Sequence, residues 1–110
     1  MNGWIKIHRK LLEWEWYHDK NILSVFLHCL LSANHKTKKW QGITIKKGEF
    51  ISSYHRISKD LSSGKSKISV RQVRTVLDKL KKTGELTLKA TNKYTLFKIN
   101  NWDSYQGIDT

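Results

Sequence analysis

Residues 68–99 constrain the fold more than any other stretch, because they spell a capped amphipathic helix, one glycine and a basic hairpin in that order. Ser69 stands just ahead of a periodic run and Gln72 follows three positions later. At that spacing the hydroxyl accepts from a first-turn N–H while the amide reaches back to the cap. Ile68, ahead of the cap, is placed to act as a hydrophobic staple. At about 100° per residue, Val70, Val73, Val76, Leu77 and Leu80 share one stripe. Arg71, Thr75, Asp78, Lys79 and Lys82 fall opposite, and Arg74 and Lys81 flank the stripe. Lys81-Lys82-Thr83-Gly84 fits a left-handed C-cap with cations at the negative end of the helix dipole, so the spacing predicts a helix over about residues 70–83. Beyond it, residues 85–90 and 94–99 are two β-prone runs around Thr91-Asn92-Lys93, which predicts a hairpin. Leu86, Leu88 and Ala90 alternate with Thr87, Lys89 and Thr91; the second run does not alternate cleanly and leaves its inward face open.

At 110 residues the chain is long enough for one domain with a core that needs no metal or disulfide staple. The single cysteine, Cys29, lies in an apolar run, which excludes an internal disulfide and points to a reducing compartment. No apolar run has the length of a membrane span, and the Met1-Asn2-Gly3-Trp4 start carries no secretory apolar region. The expectation is a cytoplasmic protein with no membrane partner. The net charge of +12 is unevenly placed: residues 36–98 hold seventeen Lys or Arg against Glu49, Asp60, Asp78 and Glu85. A solvated basic face is the plain alternative. Solubility needs a net charge of only about 2–8 for a small domain, however, so a polyanion partner accounts better for the excess.

The remaining segments read as supports for the helix and hairpin. Residues 4–16, with Trp4, Trp14 and Trp16 ahead of Tyr17, read as an extended lead-in passing into a helix, with the aromatics serving packing or an interface rather than cofactor stacking. Asp19 or Asn21 caps a helix over residues 22–33 that is apolar nearly all round, either a central buried helix or part of an oligomer interface. Residues 34–42 form a basic loop, and residues 43–51 read as short strands around a Lys47-Gly48 turn. Ser52 or Ser53 caps a helix over about residues 54–61 with Ile57 and Leu61 inward. That helix and the one after Ser69 make a helix-turn-helix pair, joined by a link longer than a tight turn that is either ligand-facing or mobile. The expected fold class is α+β: a winged helix-turn-helix with an N-terminal helical extension and a C-terminal β-hairpin wing, a single domain over residues 1–110.

Catalytic and metal chemistry are not expected. His28 and Cys29 are adjacent and point to different parts of a helix surface, and no further Cys or His pair completes zinc-ligand spacing. Lys47-Gly48-Glu49 is a turn without the phosphate-cradling pattern of a P-loop, and no nucleophile, base and orienter stand out as a set. The chain is expected to be no enzyme and to carry no cofactor.

Six segments, in order and over nearly the whole chain, carry a family resemblance. They are Gly3-Trp4-Ile5-Lys6-Ile7-His8-Arg9-Lys10, Glu13-Trp14-Glu15-Trp16-Tyr17, Ala33-Asn34-His35-Lys36, Lys47-Gly48, Ser69-Val70-Arg71-Gln72-Val73-Arg74 and Asn101-Trp102-Asp103-Ser104-Tyr105-Gln106. Together they resemble the N-terminal domain of phage replisome organisers and related DnaD-like replication proteins. The Val70 to Arg74 run alone fits many winged helices, whereas the tryptophan-rich start combined with the Asn101 to Gln106 end is more distinctive. The resemblance implies a winged-helix module that binds origin or phage DNA and helps assemble the primosome or load a helicase. Such proteins continue into a linker and a second domain, so the chain is expected to be an N-terminal module or to lack the loader-binding part.

The expected function is therefore double-stranded DNA binding in a phage- or plasmid-type replication initiator. The helix after Ser69 would enter the major groove, with Arg71 suited to a guanine edge, Gln72 to an adenine edge, and Thr75 as a third base reader. Lys65, Lys67, Arg74, Lys79, Lys89 and Lys93 would hold phosphates, with Ser69 at the helix start and Asn92 at the wing tip completing the set. A second copy of the chain and a replication protein such as a helicase loader are further expected partners. A winged-helix transcriptional regulator fits the same residues. A different class, a self-associating or protein-docking scaffold, would use the apolar helix with Trp4, Trp14 and Trp16 and leave DNA binding secondary.

Overall fold

The computed structural model describes residues 3–106. An extended segment leads into a 3-10 helix at Arg9–Glu13, and turns carry the chain to α1 (Lys20–Ser32). Then come β1 (Lys38–Trp40), β2 (Ile43–Ile45), β3 (Glu49–Ser52), α2 (Tyr54–Asp60), α3 (Val70–Lys82), β4 (Leu86–Ala90), β5 (Thr95–Ile99) and α4 (Trp102–Gln106). β1 and β2 pair only with each other, and the second sheet has the order β3-β5-β4, all antiparallel. The described residues thus form an α+β domain of four α-helices and two small antiparallel sheets.

The helices begin where local chemistry supplies an acceptor. Asp19 caps α1 by accepting from the Ile22 N–H at 3.0 Å, and Ser53 caps α2 by accepting from the Arg56 N–H at 3.0 Å. In α3 the capping box is complete: the Ser69 hydroxyl accepts from the Gln72 N–H at 3.0 Å and the Gln72 side-chain oxygen accepts from the Ser69 N–H at 2.8 Å. At the other end Gly84 takes φ +85°, letting its N–H reach Lys81 O at 3.2 Å and the Glu85 N–H reach Leu80 O at 3.0 Å. Between these ends Val73, Val76, Leu77 and Leu80 are buried in one core with Ile22, Val25, Phe26, Cys29 and Leu30 of α1. Each such aliphatic side chain stabilises the fold by about 1.5–3 kcal/mol.

The sheet closes the core from the other side. Its register aligns Phe50 with Phe97 and Phe97 with Leu88, and the two phenylalanine rings stack at 4.9 Å. Phe97 and Ile99 are buried and Lys98 is exposed, which settles the inward face of the second hairpin strand. Along β4 burial fades from Leu86 through a half-buried Leu88 to an exposed Ala90, because the hairpin runs out past the helices toward its turn.

Several expectations are corrected, some by contacts distant in sequence and some by local turns. The helix expected within residues 4–16 is only the five-residue 3-10 helix. The indole N–H groups of Trp14 and Trp16 donate instead to Glu85 Oε1 at 2.8 Å and Thr83 Oγ1 at 3.2 Å, which pins this segment across the end of α3. The basic loop expected over residues 34–42 contains β1, since Gln41 (φ 49°) and Gly42 (φ 81°) form a tight left-handed two-residue turn. The strands flanking Lys47-Gly48 do not pair with each other: β2 folds back on β1, and β3 joins β5. The link after α2 is a compact turn in which Ser63 and Ser66 exchange backbone hydrogen bonds at 2.8 Å, while the Ser62 hydroxyl accepts from the Ile68 N–H at 3.0 Å. The short α4 was not anticipated.

Gly48 is the most closely packed of the described glycines. At φ +82° it lies beneath Trp102, where an added Cβ would come within 2.8 Å of that side chain's Cβ and Cγ. Its N–H donates to Asn34 O at 2.7 Å, and the Asn34 amide donates to Glu49 O at 2.7 Å. Gly48→Ala should therefore cost about 2–4 kcal/mol, against about 1–2 kcal/mol for Gly84→Ala, where only the left-handed backbone opposes a side chain. Thermal melts of the two variants read the difference directly. Leu77→Asp, which sets an unpaired charge at a fully buried position, should abolish the cooperative melt.

Candidate nucleic-acid interface

Helical phase and the core stripe together leave Arg71, Thr75, Asp78 and Lys82 exposed on the far face of α3. Arg71, in the first turn, is exposed and unpaired among the described residues. Arg74 lies with its guanidinium carbon 5.2 Å from the centre of the Tyr54 ring, which holds the side chain against α2 while the residue stays exposed. Lys65 and Lys67 are exposed in the turn that precedes α3. The first half of α3 and its approach are thus uniformly cationic. The second half is not: Asp78 sits on the outer face, paired with Lys81 at 3.4 Å, and would repel a phosphate.

The other expected groups differ in how free they are. Gln72 is exposed, but its oxygen serves the capping box, so a bidentate contact to adenine would require that cap to open. The Thr75 hydroxyl donates to Arg71 O at 3.1 Å and keeps only acceptor capacity, and the Ser69 hydroxyl, which accepts from Gln72, keeps its donor. Lys79 is half-buried with its ammonium 5.7 Å from the Trp16 ring, turned toward the N-terminal segment and apart from the rest. Lys89 is exposed on the outer face of β4. Asn92 and Lys93 occupy the β4–β5 turn, where the Thr91 hydroxyl donates to Tyr94 O and accepts from the Lys93 and Tyr94 N–H groups.

Two cationic groups result, one around the start of α3 and one at the β4–β5 turn, and the first turn of α2 joins them. Tyr54 lies under Arg74, and its neighbours Ser53 and Arg56 line a cleft of about 650 Å³ whose opposite wall carries Lys93 and Tyr94. Lys38 and Trp40 of β1, His28 of α1 and Asp60 of α2 line the same cleft. Asp60 accepts from Arg56 Nε at 3.3 Å and lies 3.5 Å from His28 Nε2. Of these cleft residues only Lys93 stood among the expected site. The Gln41-Gly42 pair was the available signal, because a two-residue turn there implies a hairpin that brings Lys38 and Trp40 onto one face.

Among the described residues no group of three His, Cys, Asp or Glu side chains could hold a metal, and no helix is long and apolar enough to cross a membrane. Compared with models of protein families, with curated proteins and with solved structures, the chain finds no match in any of the three.

Burial pushes the Cys29 thiol from 9.0 to about 12. Its thiolate is what a disulfide reagent attacks, so Cys29 should stay silent to Ellman's reagent until the protein unfolds. The unfolded thiol ionises near pH 9 while the folded one keeps its proton to about pH 12. The unfolded state therefore binds fewer protons in that window, and Cys29 should lower stability by about 1 kcal/mol per pH unit as pH rises through it. Denaturant titrations across the window should show a shallower decline for Cys29→Ala.

Proposed function

We propose that this domain is a winged helix-turn-helix that binds double-stranded DNA, with α3 as the recognition helix and the β4–β5 hairpin as the wing. The observation that carries the reading is the uniformly cationic, exposed first half of α3. It stands on an element order in which β3, α2, α3 and the β4–β5 hairpin follow one another, between the β1–β2 hairpin and α4, with a sheet that runs β3-β5-β4. Arg71 is the base reader, and Lys65, Lys67, Arg74, Lys89 and Lys93 hold phosphates. The tryptophan-rich start and the Asn101 to Gln106 segment support a narrower reading: the DNA-binding module of a phage- or plasmid-type replication initiator of the replisome-organiser kind, acting in the cytoplasm with a helicase loader or a second copy as partner.

A scaffold that self-associates or docks a protein is the second reading, favoured by Trp4 at 65 % and Leu31 at 63 % exposure, which line one groove. Light scattering on the purified chain separates it from a monomeric DNA binder.

If roughly five phosphates are contacted, log K for duplex DNA should fall against log salt with a slope of about −4 to −5, and a flat response in a salt titration would sink the electrostatic reading. Arg71→Ala should cost about 1–3 kcal/mol on the preferred site and relax discrimination at one base position. Lys93→Ala should weaken all duplexes alike and shrink the slope by about one unit. Competition binding on selected and scrambled duplexes tests both variants; an equal loss on the two duplexes for Arg71→Ala would make it a phosphate contact.

A further inference from the structure

Duplex binding through α3 uses only Lys93 of the cleft between the β1–β2 hairpin and the β4–β5 turn and leaves Lys38, Trp40 and Arg56 without a role. Strand alternation sets Lys38, Trp40, Ile43 and Ile45 on one face of the hairpin and Lys39 and Thr44 on the other. Ile45 is only 2 % exposed, so that face is the inward one, and Lys38 and Trp40 both line the cleft. Trp40 meets Tyr94 edge to face, with centroids 6.3 Å apart and planes at 80°. It nevertheless keeps 38 % of its surface exposed, so the indole is presented to the cleft rather than packed away. Three cations, Lys38, Arg56 and Lys93, face one carboxylate, Asp60, which is already engaged by Arg56 and His28.

A ligand for these walls needs a flat π surface and negative charge in the same small unit. Nucleotides combine the two, and a space of about 650 Å³ falls within the range of small-ligand pockets. Paired bases hide their faces within the duplex stack, so an unpaired nucleotide is the form that can use an exposed indole. We propose that the cleft binds an unpaired nucleotide, with its base on Trp40 and its phosphates held by Lys38, Lys93 and Arg56. Lys93 is shared with the duplex reading, but the base platform Trp40 and Lys38 lie on β1, outside the α3 face assigned to duplex recognition, so variants at these two residues test the site separately from that reading.

The test is fluorescence anisotropy with a labelled oligothymidine and, in parallel, a labelled duplex, using the full chain and its Trp40→Leu, Trp40→Phe and Lys38→Ala variants. Trp40→Leu should weaken oligothymidine binding about 5- to 150-fold, the range expected for losing one stacked base, and leave duplex affinity unchanged. Trp40→Phe, which keeps a ring, should recover most of the loss. That recovery separates stacking from damage to the hairpin. Lys38→Ala should reduce the oligothymidine salt slope by about 0.7, the value for one phosphate on a single strand. Displacement of the oligomer by thymidine monophosphate at equal nucleotide concentration would identify a free nucleotide as the ligand; displacement by unlabelled oligomer alone would identify a strand. The proposal is overturned if the parent chain fails to bind oligothymidine, if Trp40→Leu leaves that binding unchanged, if Trp40→Phe loses as much as Trp40→Leu, or if single-strand and duplex affinities fall by the same factor. Loss of duplex binding with oligothymidine binding retained would overturn the α3 reading and spare this one.

Discussion

The reversal at Gly84-Glu85 is the constraint on which the placement of α3 relative to the β4–β5 hairpin depends. Gly84 turns left-handed so that the Glu85 N–H closes the end of α3 on Leu80 O. The Glu85 carboxylate accepts from the Trp14 indole and the Thr83 hydroxyl, which ties the N-terminal segment to the same point. Asn100 completes the knot, donating through its backbone N–H to Glu85 O at 3.0 Å and through its amide to Gly84 O at 2.8 Å. Two residues thus join the end of α3, the start of β4, the chain leaving β5 and the tryptophan-rich arm. The direction in which α3 and the β4–β5 hairpin leave this point fixes where their basic ends stand. The carboxylate that holds the junction also helps raise the Tyr105 phenol, whose shift comes first from burial and then from the Glu85 charge.

A second junction joins segments that lie far apart in the sequence. Asn34, Gly48 and Trp102 come from three segments, and in the fold the glycine lies between the asparagine carbonyl and the indole. His35 adds an edge-to-face contact to Trp102 at 5.3 Å. Gln106 exchanges two hydrogen bonds with the Lys6 backbone, at 2.7 and 2.9 Å, closing the arm against α4. These residues hold the fold, whereas Arg71 and Arg74 are exposed.

What was legible in the sequence follows from how local each determinant is. The α3 cap, its buried stripe and its glycine stop lie within seventeen consecutive residues, 68–84, and the structure reproduces them. Arg71 and Arg74 could be placed outside the core from helical phase alone. The arm could not be read because its conformation is set by indole donors finding acceptors about seventy residues away, at Thr83 and Glu85. β1 escaped because Lys38-Lys39-Trp40 has no hydrophobic alternation and is a strand by virtue of its turn. α4, at five residues, is too short to show a period. The cleft was hidden for a stronger reason: His28, Lys38, Arg56 and Lys93 meet only after two hairpins and two helices have packed.

The division of α3 into two halves has an electrostatic origin. Its positive dipole end coincides with Lys65, Lys67, Arg71 and Arg74, so helix and side chains attract phosphate together. Ser69 and Gln72 already satisfy two amide groups at that end through the capping box, which leaves the long cations to make the reach. Toward the C-terminus the dipole reverses and Asp78 adds a formal negative charge, while Lys79 and Lys81 are turned to Trp16 and to Asp78. The lysines there stabilise the helix end instead of extending the binding face. Asp78 and the engagement of Lys79 and Lys81 thus leave the second half of the helix less cationic than the first, where Arg71 and Arg74 face no carboxylate among the described residues.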